Sequence, residues 1–243
     1  MADRSALIAE SCPPHYGNAI SLIRLPSQLL DPFRSLRAAA AAHRSTEQLL
    51  PVIGSEDCSK GTDAILAYLQ QRFERSTTDE HCGLQDWIRL RPPSLQTVSV
   101  DPDTVIVDLG TQALVGLHVD SWYRREFALT RREHAPNRVC VNLGSTDRFF
   151  LFVNVSVGQM YNVVKDKDRN SACGEDTTTV GPSSVARDFM RSFPSYPVVR
   201  VRVRPGEAYV APTENIAHDG SSIDMNAMDV TLSIRGRFKL CQN

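Results

Sequence analysis

The period of the hydrophobic pattern changes near residue 100, and this change limits the possible folds more than any other feature of the chain. Before it the sequence reads as helices and loops; after it, short β-prone segments follow one another with Gly and Pro between them. Val105-Ile106-Val107, Ala113 to His118, Val139 to Leu143 and Phe149 to Val157 read as strands. Val199, Val201 and Val203 alternate with Arg200, Arg202 and Arg204, the period of a half-exposed strand. Pro205-Gly206 forms a turn before a strand from Glu207 to Val210, and Asp229 to Phe238 closes the series. Many short, punctuated strands favour a sandwich or jelly roll over a parallel α/β sheet.

The first hundred residues carry helix signals. Asp31-Pro32 is expected to open a helix as N-cap and first-turn proline, with the Ala38 to Ala42 run inside it and Pro51 closing the region. A second helix is expected from Thr62, with Ile65, Leu66, Leu69 and Phe73 on one stripe that packs on the outside of a sheet. At 243 residues the chain fits one domain, with a helical support over 1–100 and a strand-rich core over 101–243. A polar stretch from Lys165 to Ser183 is followed by a short helix carrying Val185, Phe189 and Phe193 and ended by Pro194. The region 162–197 is expected to be a lid or a surface loop.

His118-Val119-Asp120 is the chemically informative motif. A histidine and a carboxylate two positions apart on a strand project from the same face. The distant His218 can complete a patch of two imidazoles and one carboxylate, a donor set suited to non-heme Fe(II) with the opposite face open. By itself a His-x-Asp pair is more often coincidental, so the surrounding order matters. His218 is expected in a turn after the strand that follows Pro205-Gly206. On the final strand, Val230, Leu232 and Ile234 share one face, and Thr231, Ser233, Arg235 and Arg237 share the other. A planar guanidinium on such a polar face can hold a carboxylate.

The order of His-x-Asp, distal histidine and strand arginine over roughly residues 100 to 240 resembles the Fe(II)/2-oxoglutarate-dependent dioxygenases. The resemblance implies a mainly β fold with supporting helices, a double-stranded β-helix (jelly roll, cupin-like). It implies iron ligation by His118, Asp120 and His218. Arg235 would grip 2-oxoglutarate with Ser233 or Thr231 as hydroxyl helper, and Arg237 is the alternative clamp. Fe(II), 2-oxoglutarate and O₂ would be the cofactor and co-substrates, and succinate and CO₂ the co-products. Related halogenases carry a small residue where Asp120 stands, so hydroxylation, desaturation or cyclisation is implied instead. Asn142 and Arg138 are further candidates for co-substrate or substrate contact, and Trp122 and Tyr123 for a pocket wall. A cupin-like metal-binding protein without oxygenase activity, in which Arg235 is a structural ion-pair residue, is the competing reading.

Composition narrows the partners. Formal net charge is −1, from 27 basic and 28 acidic side chains, which argues against nucleic acid and anionic membranes. Arg124-Arg125 and Arg131-Arg132 read as a solvated loop face that could meet a small anion. No stretch approaches the ~20 apolar residues of a membrane span. Six scattered cysteines suggest neither a zinc knuckle nor a disulfide framework, and reduced thiols in a cytoplasm are expected. His15, His43, His81 and His134 have no partnered ligands in sequence. A small-molecule substrate is expected, an amino acid or other carboxylate if Arg124, Arg125 or Arg138 faces the pocket. The Arg/Ala-rich composition suits specialised metabolism. Nothing in the sequence speaks to oligomeric state.

Overall fold

A computed structural model describes residues 20–42, 46–75, 85–91, 106–108, 113–120, 129, 132, 135–168, 181–221, 227–236 and 238–240. Its strands are β1 (Ser21–Arg24), β2 (Phe73–Arg75), β3 (Gln85–Arg91), β4 (Ile106–Asp108), β5 (Ala113–Val115) and β6 (Asn137–Asn142). They continue as β7 (Arg148–Ser156), β8 (Val198–Val203), β9 (Glu207–Ala211), β10 (Ile216–Ser221), β11 (Asp229–Gly236) and β12 (Phe238–Leu240). The helices are α1 (Arg34–Ala41), α2 (Thr46–Ile53), α3 (Glu56–Arg72), α4 (Val157–Asp168) and α5 (Pro182–Ser192). A 3-10 helix, Ser27–Phe33, precedes α1.

Side-chain alternation on three central strands sets the layering. A five-stranded antiparallel sheet runs β1-β9-β6-β11-β3, and a three-stranded one runs β10-β7-β8. On the larger sheet, Val139, Val141, Ala208, Val210, Val230, Leu232 and Ile234 face Phe33, Leu36, Leu49, Ile65 and Leu69 of the N-terminal helices. The intervening residues Cys140, Tyr209 and Ala211 face Phe150, Phe152, Val203 and Ile216 of the smaller sheet. The far side of the smaller sheet is covered by α4 and α5, where Met160, Val185 and Phe189 pack on Val153 and Val155. The order is therefore helices, sheet, sheet, helices. The Val/Arg alternation on β8 agrees with the observed exposure, whereas β11 is buried on both faces and its period shows in which layer each face meets.

Several helix boundaries differ from the sequence reading, each for a local reason. Asp31-Pro32 lies inside the 3-10 helix, and α1 starts only at Arg34. Pro51 sits within α2 instead of ending it. The helix expected from Thr62 starts at Glu56, because the Ser55 hydroxyl accepts the Cys58 N–H at 3.4 Å and Glu56 and Asp57 occupy the first turn. It ends at Arg72, so Phe73 begins β2. Helix α4 was not expected from the sequence, although its signal is there. Ser156 and Gln159 form a reciprocal cap, with Gln159 N–H donating to Ser156 Oγ at 3.1 Å and Ser156 N–H to Gln159 Oε1 at 3.2 Å. Residues 169–180, the middle of the expected lid, lie outside the described residues.

Gly206, in the anticipated turn, has φ +78, and a Cβ there would come within 2.6 Å of Leu30. Cys58 and Cys140 are free thiols in the interior. Among the described residues no helix is long and apolar enough to cross a membrane.

Leu232 is fully buried between the larger sheet and the helices. Leu232→Ala is expected to destabilise the protein by about 2–5 kcal/mol in urea unfolding. Leu22→Ala, at a side chain 52% exposed, should change stability by no more than about 0.5 kcal/mol. Equal effects of the two would contradict the layering.

Candidate metal centre

The site is built on one backbone bridge. After β5 the chain turns at Gly116, and His118 then pairs antiparallel with His218 of β10. Each histidine donates its N–H to the other's carbonyl, at 3.0 and 2.8 Å, which sets the two imidazoles side by side with centroids 4.7 Å apart. Two residues on, the Asp120 N–H donates to the Thr213 carbonyl at 3.0 Å. Gly116 adopts φ 94, a conformation open to glycine. Its N–H donates to Asp219 Oδ2 at 3.2 Å and its carbonyl accepts from His118 Nδ1 at 2.7 Å.

These bonds fix the imidazole tautomers. A carbonyl can only accept, so His118 Nδ1 carries its proton toward Gly116, and His218 Nδ1 likewise toward Ile216 at 3.2 Å. Both Nε2 lone pairs are left for another partner. They converge on Asp120 Oδ1, 3.9 Å from His118 Nε2 and 3.8 Å from His218 Nε2. The three ligand atoms all lie within 4.8 Å of one another, and the three side chains are buried. The separations exceed hydrogen-bonding distance, so the groups are brought together without satisfying each other.

The electrostatics suit a cation. Burial pushes both imidazoles toward the neutral form, His118 below its ordinary value and His218 down to about 3. Burial alone would raise the Asp120 carboxyl; the Arg138 guanidinium and the neighbouring imidazoles overcome it and hold the group well below the usual carboxylate range. Two neutral nitrogen donors and an ionised oxygen donor make a set that fits a divalent first-row metal.

Around this cluster lies a network of buried arginines and carboxylates. Arg138 Nη2 is 2.7 Å from Asp120 Oδ2. Arg132, expected on a solvated loop, is only 2% exposed and donates to the Asp120 and Glu214 carbonyls at 3.0 and 3.1 Å. Glu214 is buried and also pairs with Arg235. Arg148 lies 3.5 Å from Asp229 and donates to Cys140 Sγ at 2.9 Å. Phe150 stacks on Tyr209 with centroids 4.0 Å apart and lies 5.7 Å from the His218 ring.

The sequence candidates fare differently. His118, Asp120 and His218 come together, and His218 does so from a strand instead of the expected turn. Thr231 and Ser233 are buried on the β11 face shared with Arg235, with Ser233 Oγ 3.8 Å from Cys140 Sγ. Arg235 is engaged with Glu214. The Asn142 amide is spent on backbone, donating to Thr146 and Val203 carbonyls at 2.9 Å and accepting from the Gly144 N–H at 2.9 Å, so it clamps the β6–β7 turn. Arg237, Trp122, Tyr123, Arg124, Arg125, His15, His43, His81 and His134 lie outside the described residues. Sequence reasoning missed Glu214, read as part of a turn, and Arg132, hidden in a basic run. A buried partner for each was not legible from local composition.

The histidines make a pH prediction for metal-free protein. His218 titrates near 3 when folded and near 6.5 when unfolded, so between these values the unfolded chain binds more protons and stability rises with pH. Its contribution is complete above about pH 6.5 and is lost as the pH falls. Lowering the pH from 7.5 to 5.5 should cost roughly 1.4 kcal/mol at this residue. Urea unfolding of His218→Gln should show a correspondingly shallower pH dependence; an unchanged slope would refute the neutral, buried imidazole.

No protein-family model matches the chain, and no curated protein matches its sequence. Among solved structures it is similar to the Kdo hydroxylase KdoO, a non-heme Fe(II) alphaketoglutarate dependent dioxygenase. The cobalt(II) complex of that enzyme aligns with 90% of this chain and 79% of its own at 13% identity and TM-score 0.45. Its complex with alphaketoglutarate and Fe(III) covers the same shares at 12% identity and TM-score 0.46.

Proposed function

We propose that the chain is a non-heme Fe(II)/2-oxoglutarate-dependent oxygenase, built as a double-stranded β-helix, that hydroxylates, desaturates or cyclises a small molecule. The buried His118–Asp120–His218 cluster carries this reading, because both Nε2 lone pairs and one carboxylate oxygen converge without bonding one another. Two imidazoles and one carboxylate are the donor set of iron oxygenases that keep coordination positions open. When bound there, Fe(II) with 2-oxoglutarate and O₂ supplies the oxidising chemistry, with succinate and CO₂ as co-products. The protein's own part is to position and to exclude water. His118, Asp120 and His218 hold the metal, and Phe150, beside His218, gives the site an apolar wall.

Buried charge supports a dianionic co-substrate. Among the described residues the interior holds the guanidiniums of Arg132, Arg138 and Arg148, with Arg235 partly buried beside them, and the carboxylates of Asp120, Glu214, Asp219 and Asp229. A divalent cation added to these nearly balanced charges leaves a net positive charge, which a dicarboxylate would neutralise. Arg235, with Ser233 and Thr231 on the same inner face, remains our choice for the far carboxylate.

A second reading draws on one observation. Arg235 already has a carboxylate partner in Glu214, as expected of a cupin-like metal-binding protein without oxygenase activity. The buried charge supports the oxygenase, because a dicarboxylate co-substrate would offset the charge of a divalent metal beside these arginines. The substrate we propose is a small molecule. Arg138, one of the arginines that would have favoured a carboxylate substrate, is bound to Asp120.

Anaerobic titration with Fe(II) and then 2-oxoglutarate separates the readings. The oxygenase should develop the weak visible charge-transfer band of the chelate; a folded protein that binds Fe(II) and shows no band is the metal-binding module. His218→Ala is expected to abolish succinate formation. Arg235→Ala should weaken 2-oxoglutarate binding by about tenfold or more with smaller loss of Fe(II) affinity. If Arg237→Ala shows the larger co-substrate defect, the clamp is Arg237.

A further inference from the structure

Asp120 presents its two oxygens to different partners. Oδ1 is the one turned to the histidine Nε2 atoms, whereas Oδ2 meets Arg138 Nη2 at 2.7 Å. Both side chains of the ion pair are nine-tenths buried. We propose that Arg138 is a positioning residue that confines Asp120 to one coordinating oxygen, an inference that rests on the iron reading.

The sheet places Arg138 for this task. It lies on β6, the central strand of the larger sheet, opposite Ala211 of β9 on one side and Arg235 of β11 on the other. Two arginines in register would repel if both guanidiniums shared one environment. Each instead takes its own carboxylate, Asp120 for Arg138 and Glu214 for Arg235. The Asp120 backbone is fixed through its N–H to the Thr213 carbonyl, and its carboxylate is further held by a hydrogen bond from the Thr213 side chain. A buried charged hydrogen bond is not given up without a replacement partner.

The chemical consequence concerns coordination number. A carboxylate with both oxygens available can bind a metal through two atoms, and this occupies one more position. Two imidazoles and a one-oxygen carboxylate leave a face open. That face must accept a chelating 2-oxoglutarate and still admit O₂. With Oδ2 held by Arg138, Asp120 cannot take the position that the second arm of the co-substrate needs.

The test measures two affinities separately in wild type, Arg138→Met and Arg138→Lys. Co(II) is titrated anaerobically into metal-free protein and followed by its visible absorption. 2-Oxoglutarate is then titrated into the Co(II)-loaded protein. In Arg138→Met the released carboxylate becomes the stronger ligand, so Co(II) affinity should hold or rise while 2-oxoglutarate affinity falls about tenfold or more. Arg138→Lys keeps a single charged donor and should restore most of that loss. An arginine serving structure alone would weaken both affinities together, and a parallel fall overturns the proposal. Unchanged 2-oxoglutarate affinity in Arg138→Met overturns it as well. Should that variant fail to fold, Arg138→Gln takes its place: selective loss of 2-oxoglutarate affinity supports the role, and a parallel fall of both affinities or an unchanged 2-oxoglutarate affinity refutes it. Wild-type protein that binds no Co(II) defeats the metal reading, and wild type that binds Co(II) without 2-oxoglutarate defeats the oxygenase reading. Either result defeats this inference too, and both are distinct from failure of the arginine variants.

Discussion

The antiparallel bridge between His118 and His218 is the constraint on which the site depends. Its two backbone hydrogen bonds join a segment near the middle of the sequence to β10, about a hundred residues later. Without it, the imidazoles would sit on unconnected pieces of chain, and Asp120 would have nothing to face. Because β10 pairs with β7, which pairs in turn with β8, the bridge extends the smaller sheet toward the ligands. The donor set is thus part of the sheet's hydrogen bonding, which gives it rigidity that a loop site lacks.

The interior between the sheets is unusual in how much ionised chemistry it holds. Four guanidiniums, one of them partly buried, and the carboxylates of Asp120, Glu214 and Asp229 lie in or beside a region that also contains Phe150, Phe152 and Tyr209. Ion pairs of this kind add little net stability relative to apolar packing, yet breaking one partner out of a pair is costly. Such a network fixes side-chain orientation more than it stabilises the fold. Arg132 illustrates this, because one terminal nitrogen ties the backbone of Asp120 to that of Glu214. Asp120 and the partner of Arg235 are therefore tied to each other through a single side chain.

Much of this was legible in the sequence where the signal is periodic or the residue types are rare. The alternation along β11 assigned Val230, Leu232 and Ile234 to one side and Thr231, Ser233 and Arg235 to the other, and the three apolar residues do share one core with the N-terminal helices. The His-x-Asp spacing placed two candidate ligands on a common face because strand geometry has a short, strict repeat. Other features depend on partners far away in sequence. Nothing near Arg138 announces Asp120, and nothing near Glu214 announces Arg132 or Arg235: the register of β6 and β11 sets Arg138 beside Arg235, and the carboxylates reach them from the segment after β5 and the turn between β9 and β10. Asn142 looked like a candidate for chemistry because a polar residue in an apolar strand stands out, and its three backbone bonds show the cause to be turn geometry. The Ser156–Gln159 cap was readable but overshadowed by the apolar run before it.

Val119 lies between two of the ligands, and its N–H donates to Ser183 Oγ at 3.1 Å, near the start of α5. That helix is held to the smaller sheet by Val185, Ala186 and Phe189, residues with no chemistry of their own. The spacing between His118 and Asp120 is therefore governed partly from the outermost layer of the molecule. A change in the apolar face of α5 thus reaches His118 and Asp120 through the Ser183 hydroxyl and the Val119 N–H.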